Sequence, residues 1–122
     1  MKKRRNKDLG ILGEDIAANY LISAGFKIIE RNFKKRYGDI DIVAKVGDTF
    51  SFIEVKTRIG DKFGRGEETI TPWKLRNLIK SVNFYKHMHP EIDGALRIDV
   101  VSIAMTASRD VEKITRYENV SG

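Results

Sequence analysis

The 122-residue chain contains no cysteine and only two prolines. Without thiols, a disulfide framework, a thiolate zinc site, a redox pair and a cysteine nucleophile are all excluded. Nowhere do apolar residues run on for the roughly 18 positions that a membrane-spanning helix requires. Residues 1–7 (MKKRRNK) carry the charge of an export leader. Gly10, Gly13, Glu14 and Asp15 interrupt the stretch behind them, so no leader is expected. These absences lead to the expectation of a cytoplasmic protein that makes no use of a membrane. There is no internal repeat and no low-complexity segment. Apolar residues make up 41% and charged residues 33%, the balance of a folded globular domain. The length suits one domain able to bury a core without covalent staples. Residues 1–7 read as a basic N-terminal tail and residues 8–122 as that single domain.

The net charge is +6, and it is unevenly placed. Residues 1–36 hold 10 of the 23 Lys and Arg but only 4 of the 17 Asp and Glu. The remainder of the chain is neutral. A basic end attracts a polyanion such as nucleic acid, or serves merely as a solvated tail. Charge alone does not choose between them.

Apolar residues recur with helical spacing at Leu9, Leu12, Ile16, Tyr20 and Ala24, and Gly25 is placed to end that helix. Glu14 falls at the edge of the stripe. Residues 27–33 read as a short strand, followed by a basic turn containing Lys34, Lys35 and Arg36. Two strands follow, over 39–46 and 49–57, joined at Gly47-Asp48 by a turn of type II′ character. Residues 58–70 form a glycine-bearing loop without the Gly-Lys-Ser/Thr ending of a phosphate-binding loop. Thr71 and Pro72 supply the N-cap and first position of a second helix, which ends near residues 87–90. Residues 95–105 and 111–117 complete the strands. The expected fold is α/β (α+β): a mixed central sheet, flanked by helices, in the order α-β-β-β-α-β(-β).

The hairpin concentrates the charged residues. If Val46 pairs with Thr49, Asp41 falls opposite Glu54 and Asp39 opposite Lys56. Alternation then puts all four on one face with Phe50 and Phe52, and leaves Ile40, Ile42, Ala44, Ile53 and Val55 for the core. Carboxylates directly opposed across a ladder lie about 4.5–5.5 Å apart at Cβ and repel each other. A divalent cation relieves the repulsion, and Mg²⁺ commonly takes one or two carboxylates with water and phosphate. The alternative is an Asp39–Lys56 ion pair, with Asp41 and Glu54 turned to water. Elsewhere, His87 and His89 read as surface residues, Trp73, Phe84 and Tyr85 as core, and Arg97 with Asp99 as an ion pair of either kind.

Asp41 followed by Glu54-Val55-Lys56 resembles the PD-(D/E)xK nuclease superfamily. Within it the chain is similar to archaeal Holliday junction resolvases and, more closely, to the bacterial YraN-like family. Gly13-Glu14, Arg31-Asn32, Gly38-Asp39-Ile40-Asp41, Phe52-Ile53-Glu54-Val55-Lys56-Thr57-Arg58, Phe63-Gly64, Thr71, Lys74 and residues 97–101 follow in that family's order. The resemblance implies a restriction-endonuclease-like core and a metal-dependent endonuclease acting on DNA phosphodiesters in branched, nicked or single-stranded DNA. It implies that Asp41, Glu54 and Glu14 hold Mg²⁺ or Mn²⁺, and that Lys56 acts with them as a catalytic residue. Thr57, Arg58, Lys34, Lys35, Arg36 and Lys74 are the candidates for gripping phosphates. Asp39 stands where the family carries glutamate, one methylene longer, and no role is assigned to it. The alternative is a non-catalytic nucleic-acid-binding module that retains the fold. A homodimer is open if two strands must be cut.

If four to six phosphates are gripped, the logarithm of DNA affinity should fall with that of salt concentration at a slope of about −4 to −5. Deleting residues 1–7 should flatten the slope, as read by anisotropy of labelled DNA. An unchanged slope would demote the tail to a solubility feature.

Overall fold

The computed structural model describes residues 2–35, 38–60 and 70–121, and at 2–8 and 35 the backbone alone. Helix α1 (Lys2–Ser23) leads into a meander of β1 (Lys27–Lys35), β2 (Gly38–Val46) and β3 (Thr49–Ile59). Helix α2 (Pro72–Met88) crosses over to β4 (Ala95–Met105), and β5 (Val111–Tyr117) closes the order. The five strands form one sheet in sequence order. Only β3 and β4 are parallel, so the sheet is mixed, as expected for a helical crossover. Among the described residues no helix is long and apolar enough to cross a membrane.

The local signals account for the element ends. Thr71 accepts a hydrogen bond from the Lys74 N–H, and Pro72 follows it, so α2 starts at its cap. At the end of α1, Phe26 N–H donates to Leu21 O at 2.9 Å and Gly25 N–H to Ile22 O at 3.0 Å. These are the paired bonds of a Schellman stop, with Phe26 packed in the same cluster as Leu21. The backbone of α1 begins at Lys2, so the helix runs through the segment that the charge pattern sets apart as a tail. The 58–70 loop is shorter than expected at its start, because β3 continues to Ile59. Arg36 and residues 61–69 lie outside the described residues.

Two apolar layers sandwich the sheet. On one face Ala17, Leu21 and Phe26 pack on Ile42, Ala44, Ile53 and Ile103. On the other, Leu78, Val82 and Tyr85 of α2 pack on Ile40, Val43, Phe52 and Ile98. Ile40 and Ile42 therefore belong to opposite layers, although strict alternation assigns both to one. The break falls at Asp41. The β2–β3 ladder runs in the expected register from Val46↔Thr49 and ends at Ile42↔Ile53. On the other side, Arg31↔Ile42 and Phe33↔Ile40 pair, with Asn32 and Asp41 between them and Asn32 at φ 57. Asp39 pairs with Lys34 on the β1 side, and the β2–β3 ladder stops before it would reach Lys56. The single face holding all four hairpin charges is thus not formed.

Close packing of α1 on β3 depends on Gly13. A Cβ built there would lie 1.9 Å from Thr57 Oγ1 and 3.0 Å from Thr57 Cβ. Rotating threonine does not clear the space, because Thr57 Cβ itself stays 3.0 Å away. Gly13→Ala should therefore cost about 1–3 kcal/mol, as overpacking does. Urea denaturation reads the loss, and adding Thr57→Ala should recover part of it.

Candidate functional site

The site is built where β2 leaves β3. Beyond Ile42 the two strands no longer exchange ladder bonds, and the Val55 N–H turns to Asp41 Oδ2 at 2.8 Å. A carboxylate side chain thus satisfies a donor that a strand carbonyl would otherwise take. Asp41 is half-buried and lines a cleft of about 760 Å³ with Glu14, Asp39, Lys34 and Thr57. Glu14 is buried, more deeply than its place at the stripe's edge implies, and accepts from Arg31 Nε at 3.1 Å. Arg31 also reaches Asp15 at 2.6 Å.

Glu54 and Lys56 occupy the other side of β3, under α2. Glu54 is buried, its carboxylate paired with the Lys74 ammonium and 3.5 Å from that of Lys56. The cation at the first turn of α2 opposes the helix dipole, and Glu54 compensates it. Lys74 is therefore a partner of Glu54 in this structure, where the sequence suggested a phosphate ligand. Burial, the largest single influence, disfavours the Lys74 charge, but the bond to Glu54, the neighbouring Lys56 and the charges of Glu54 and Asp41 together hold its pKa above the usual lysine value. Lys56 moves the opposite way, lowered by burial and then by the neighbouring Lys74 ammonium.

Asp41 senses both sides. Burial, opposed by the Val55 N–H, pushes its carboxyl up to about 6, with the charges of Glu54 and then Glu14 adding to the rise and Lys74 opposing it. Asp99 is a contrasting acid. It is fully buried, yet takes donors from Ser51 at 2.6 Å, Arg97 at 3.0 Å and the Asn119 N–H at 2.8 Å. That acid is part of the architecture, and the Arg97–Asp99 pair is structural.

The remaining candidates are dispersed. Thr57 touches α1 and lines the cleft, Lys34 lines it from β1, and Arg58 sits half-buried on β3. At Lys35 only the backbone is described. Trp73 is 68% exposed, a correction to its reading as core, whereas Tyr85 is buried and donates to Glu30 at 3.0 Å. His89 stacks on Tyr85 and meets Glu91 at 3.1 Å. Sequence reasoning gave Arg31 no role in the site. The register that brings it to Glu14 is tertiary and leaves no mark in local spacing. Lys74 did leave one, as a cation at a helix N-terminus.

The family model described as "Uncharacterised protein family UPF0102" matches residues 13–103, a span that holds Glu14, Arg31, Asp41, Glu54, Lys56 and Lys74. The chain belongs to the UPF0102 family. A UPF0102 protein of Syntrophomonas wolfei subsp. wolfei is 46% identical over 98 residues, covering 80% of this chain and 85% of its own. Another, from Clostridium kluyveri, is 41% identical over 109 residues, covering 89% of each. The UPF0102 protein of Mycolicibacterium vanbaalenii is 37% identical over 114 residues, covering 93% of each.

An acid with a raised pKa lends stability that is complete below the ordinary carboxylate range, near 3.8, and is lost as pH rises through about 6. A rise of that size corresponds to about 3 kcal/mol. Asp41→Asn keeps an oxygen for Val55 but removes the charge. In metal-free buffer the variant should melt higher than the parent at pH 7, and their difference should close at pH 4. An equal difference at both values would mean that the Asp41 charge is not under strain.

Proposed function

We propose that this protein is a metal-dependent nuclease of the PD-(D/E)xK type with a restriction-endonuclease-like core, hydrolysing phosphodiesters of branched, nicked or single-stranded DNA. The observation that carries the reading is the parting of β2 and β3 at Asp41, which leaves a strained carboxylate within electrostatic reach of a second, Glu54, with Lys56 beside it. Among the described residues no three of His, Cys, Asp and Glu form a metal-binding group by themselves. Two carboxylates completed by water and substrate phosphate are nonetheless a ligand set that Mg²⁺ uses, and the raised pKa of Asp41 fits a need for a nearby cation.

Asp41 and Glu54 would hold Mg²⁺ or Mn²⁺, and Glu14 would join them on releasing Arg31. Bound there, the metal supplies Lewis-acid polarisation of a phosphate and a water of lowered pKa. Lys56, less firmly protonated than an ordinary lysine, orients a water or stabilises charge developing on the phosphate. Lys34 and Thr57, on the cleft wall, are placed to contact flanking phosphates.

A second reading, a binding module without catalysis, draws on a separate observation. Glu54 already has two ammonium partners and Glu14 a guanidinium, so these acids are neutralised by the chain itself. Cleavage of a panel of junction, flap, single-stranded and duplex DNA with Mn²⁺ separates the two. Binding without cleavage selects the module.

Within the nuclease reading, the two lysines part company. Lys56→Ala should lower single-turnover cleavage by about 10²–10³, the loss typical of one electrostatic stabiliser, while leaving Mn²⁺ affinity equal or higher. Lys74→Met removes the cation that competes for Glu54 and should tighten Mn²⁺ binding in calorimetry, whereas Glu54→Gln should weaken it. If Lys74→Met weakens metal binding instead, the assignment of Glu54 as a ligand fails.

A further inference from the structure

The outer face of α2 carries a feature that the acid–lysine site does not use. Trp73 is 68% exposed, the largest such exposure among the large hydrophobic side chains of the described residues. Arg76 and Lys80 follow at the third and seventh positions beyond it, which puts all three on one side of the helix. Both cations are exposed, and among the described residues neither forms an ion pair. At the foot of Trp73 lies a hollow of about 260 Å³, lined also by Asp39, Lys74 and Asn77. Asp39 lines the larger cleft as well, so the hollow adjoins the acids.

An exposed indole above a small hollow, followed by two unpaired cations along a helix, is the arrangement that holds a single nucleic-acid strand. Bases stack on the aromatic ring and the backbone follows the positive charge. The carboxylate of Asp39 sharpens the choice of what enters the hollow. With the Lys74 ammonium committed to Glu54, that carboxylate disfavours a phosphate and accepts hydrogen bonds from the amino or imino edge of a base. A base inside a duplex has both faces covered by its stacked neighbours, so the base that meets the indole has to be unstacked.

We infer that Trp73, with the Asp39–Asn77 hollow and the Arg76–Lys80 strip, is a binding site for an unpaired nucleotide of single-stranded DNA. The inference deepens the reading of the neighbouring acids as a nucleic-acid site and rests on it for the identity of the ligand. It gives that site a preference for a strand with an unpaired base flanking the phosphate at Asp41 and Glu54. Trp73 acts as a positioning residue. Its ring contacts a base beside the reacting phosphate and takes no part in proton or phosphoryl chemistry.

The chain has a single tryptophan, so its intrinsic emission reports Trp73 alone. The full-length protein is titrated in EDTA, where nothing is cleaved, with a short mixed-sequence single-stranded oligodeoxynucleotide. The same sequence as blunt duplex, and inorganic tripolyphosphate, are run in parallel. The expected result is saturable quenching by the single strand, at the same midpoint as anisotropy of the labelled strand, with little quenching by either comparison ligand. Trp73→Ala should weaken single-strand binding by about 5- to 150-fold, the range spanned by base–aromatic stacking, and Trp73→Phe should recover most of it. At an exposed position neither variant threatens the fold, and circular dichroism verifies that. Binding of the single strand without quenching overturns the inference, as does equal quenching by tripolyphosphate or by duplex. The enzymatic reading fails separately: quenching without Mn²⁺-dependent cleavage removes the nuclease and keeps the strand site, whereas cleavage without quenching does the reverse.

Discussion

The hydrogen bond from the Val55 N–H to Asp41 replaces a rung of the sheet, and much of the molecule is arranged around that replacement. Two antiparallel strands joined by a tight turn would ordinarily stay paired to their ends. Here β2 pairs with β3 only as far as Ile42, and the missing rung is made by a side chain. Asn32, at φ 57, accommodates the same irregularity on the β1 side. The result is a cleft opened inside a sheet whose neighbouring ladders continue past it. It also switches Ile40 to the opposite apolar layer from Ile42, so the core on both faces is committed to the distortion.

The buried acids divide by how they are satisfied. Asp99 has three donors from three directions and holds β3, β4 and the C-terminal segment together. Asp41 has one backbone donor and two acidic neighbours, and burial raises its pKa to about 6. An acid of the first kind is stable as it stands. An acid of the second kind gains from any cation brought near, which is the property expected of a site and not of a scaffold. Glu54 lies between these cases, because Lys74 and Lys56 supply its counter-charge from within the chain.

Helix α2 links the two halves of this arrangement. Its inner face fastens Leu78, Val82 and Tyr85 to the sheet, with Phe33 and Phe52 edge-on to the Tyr85 ring. Its first turn delivers Lys74 to Glu54, at a helix end where a cation is otherwise disfavoured. Its outer face carries Trp73, Arg76 and Lys80 to solvent. A single amphipathic segment thereby sets the core, the charge balance of the acids and the character of the adjoining surface.

The elements and their order were legible in the residues alone. Period-two and period-3.6 patterns, the Thr71-Pro72 cap, the Gly25 stop and the Gly47-Asp48 turn are all local signals, encoded within a few residues of where they act. The hairpin register from Val46 to Ile42 followed from its turn, and the motif singled out the acids as candidates. Where pairing stops is a matter of long-range packing. The parting at Asp41 comes with the bond from the Val55 N–H, beside the place where Gly13 lets α1 approach Thr57. It left Asp39 and Asp41 without ladder partners on β3. The pairings of the acids were out of reach, although Lys74 stood out as a cation at a helix N-terminus: Arg31 and Lys74 arrive from distant segments, and attraction between charges far apart in the chain leaves no periodicity to read. Trp73 shows the same limit from outside: an indole at a helix's first turn is core or surface according to what packs over it, and only the folded chain specifies that.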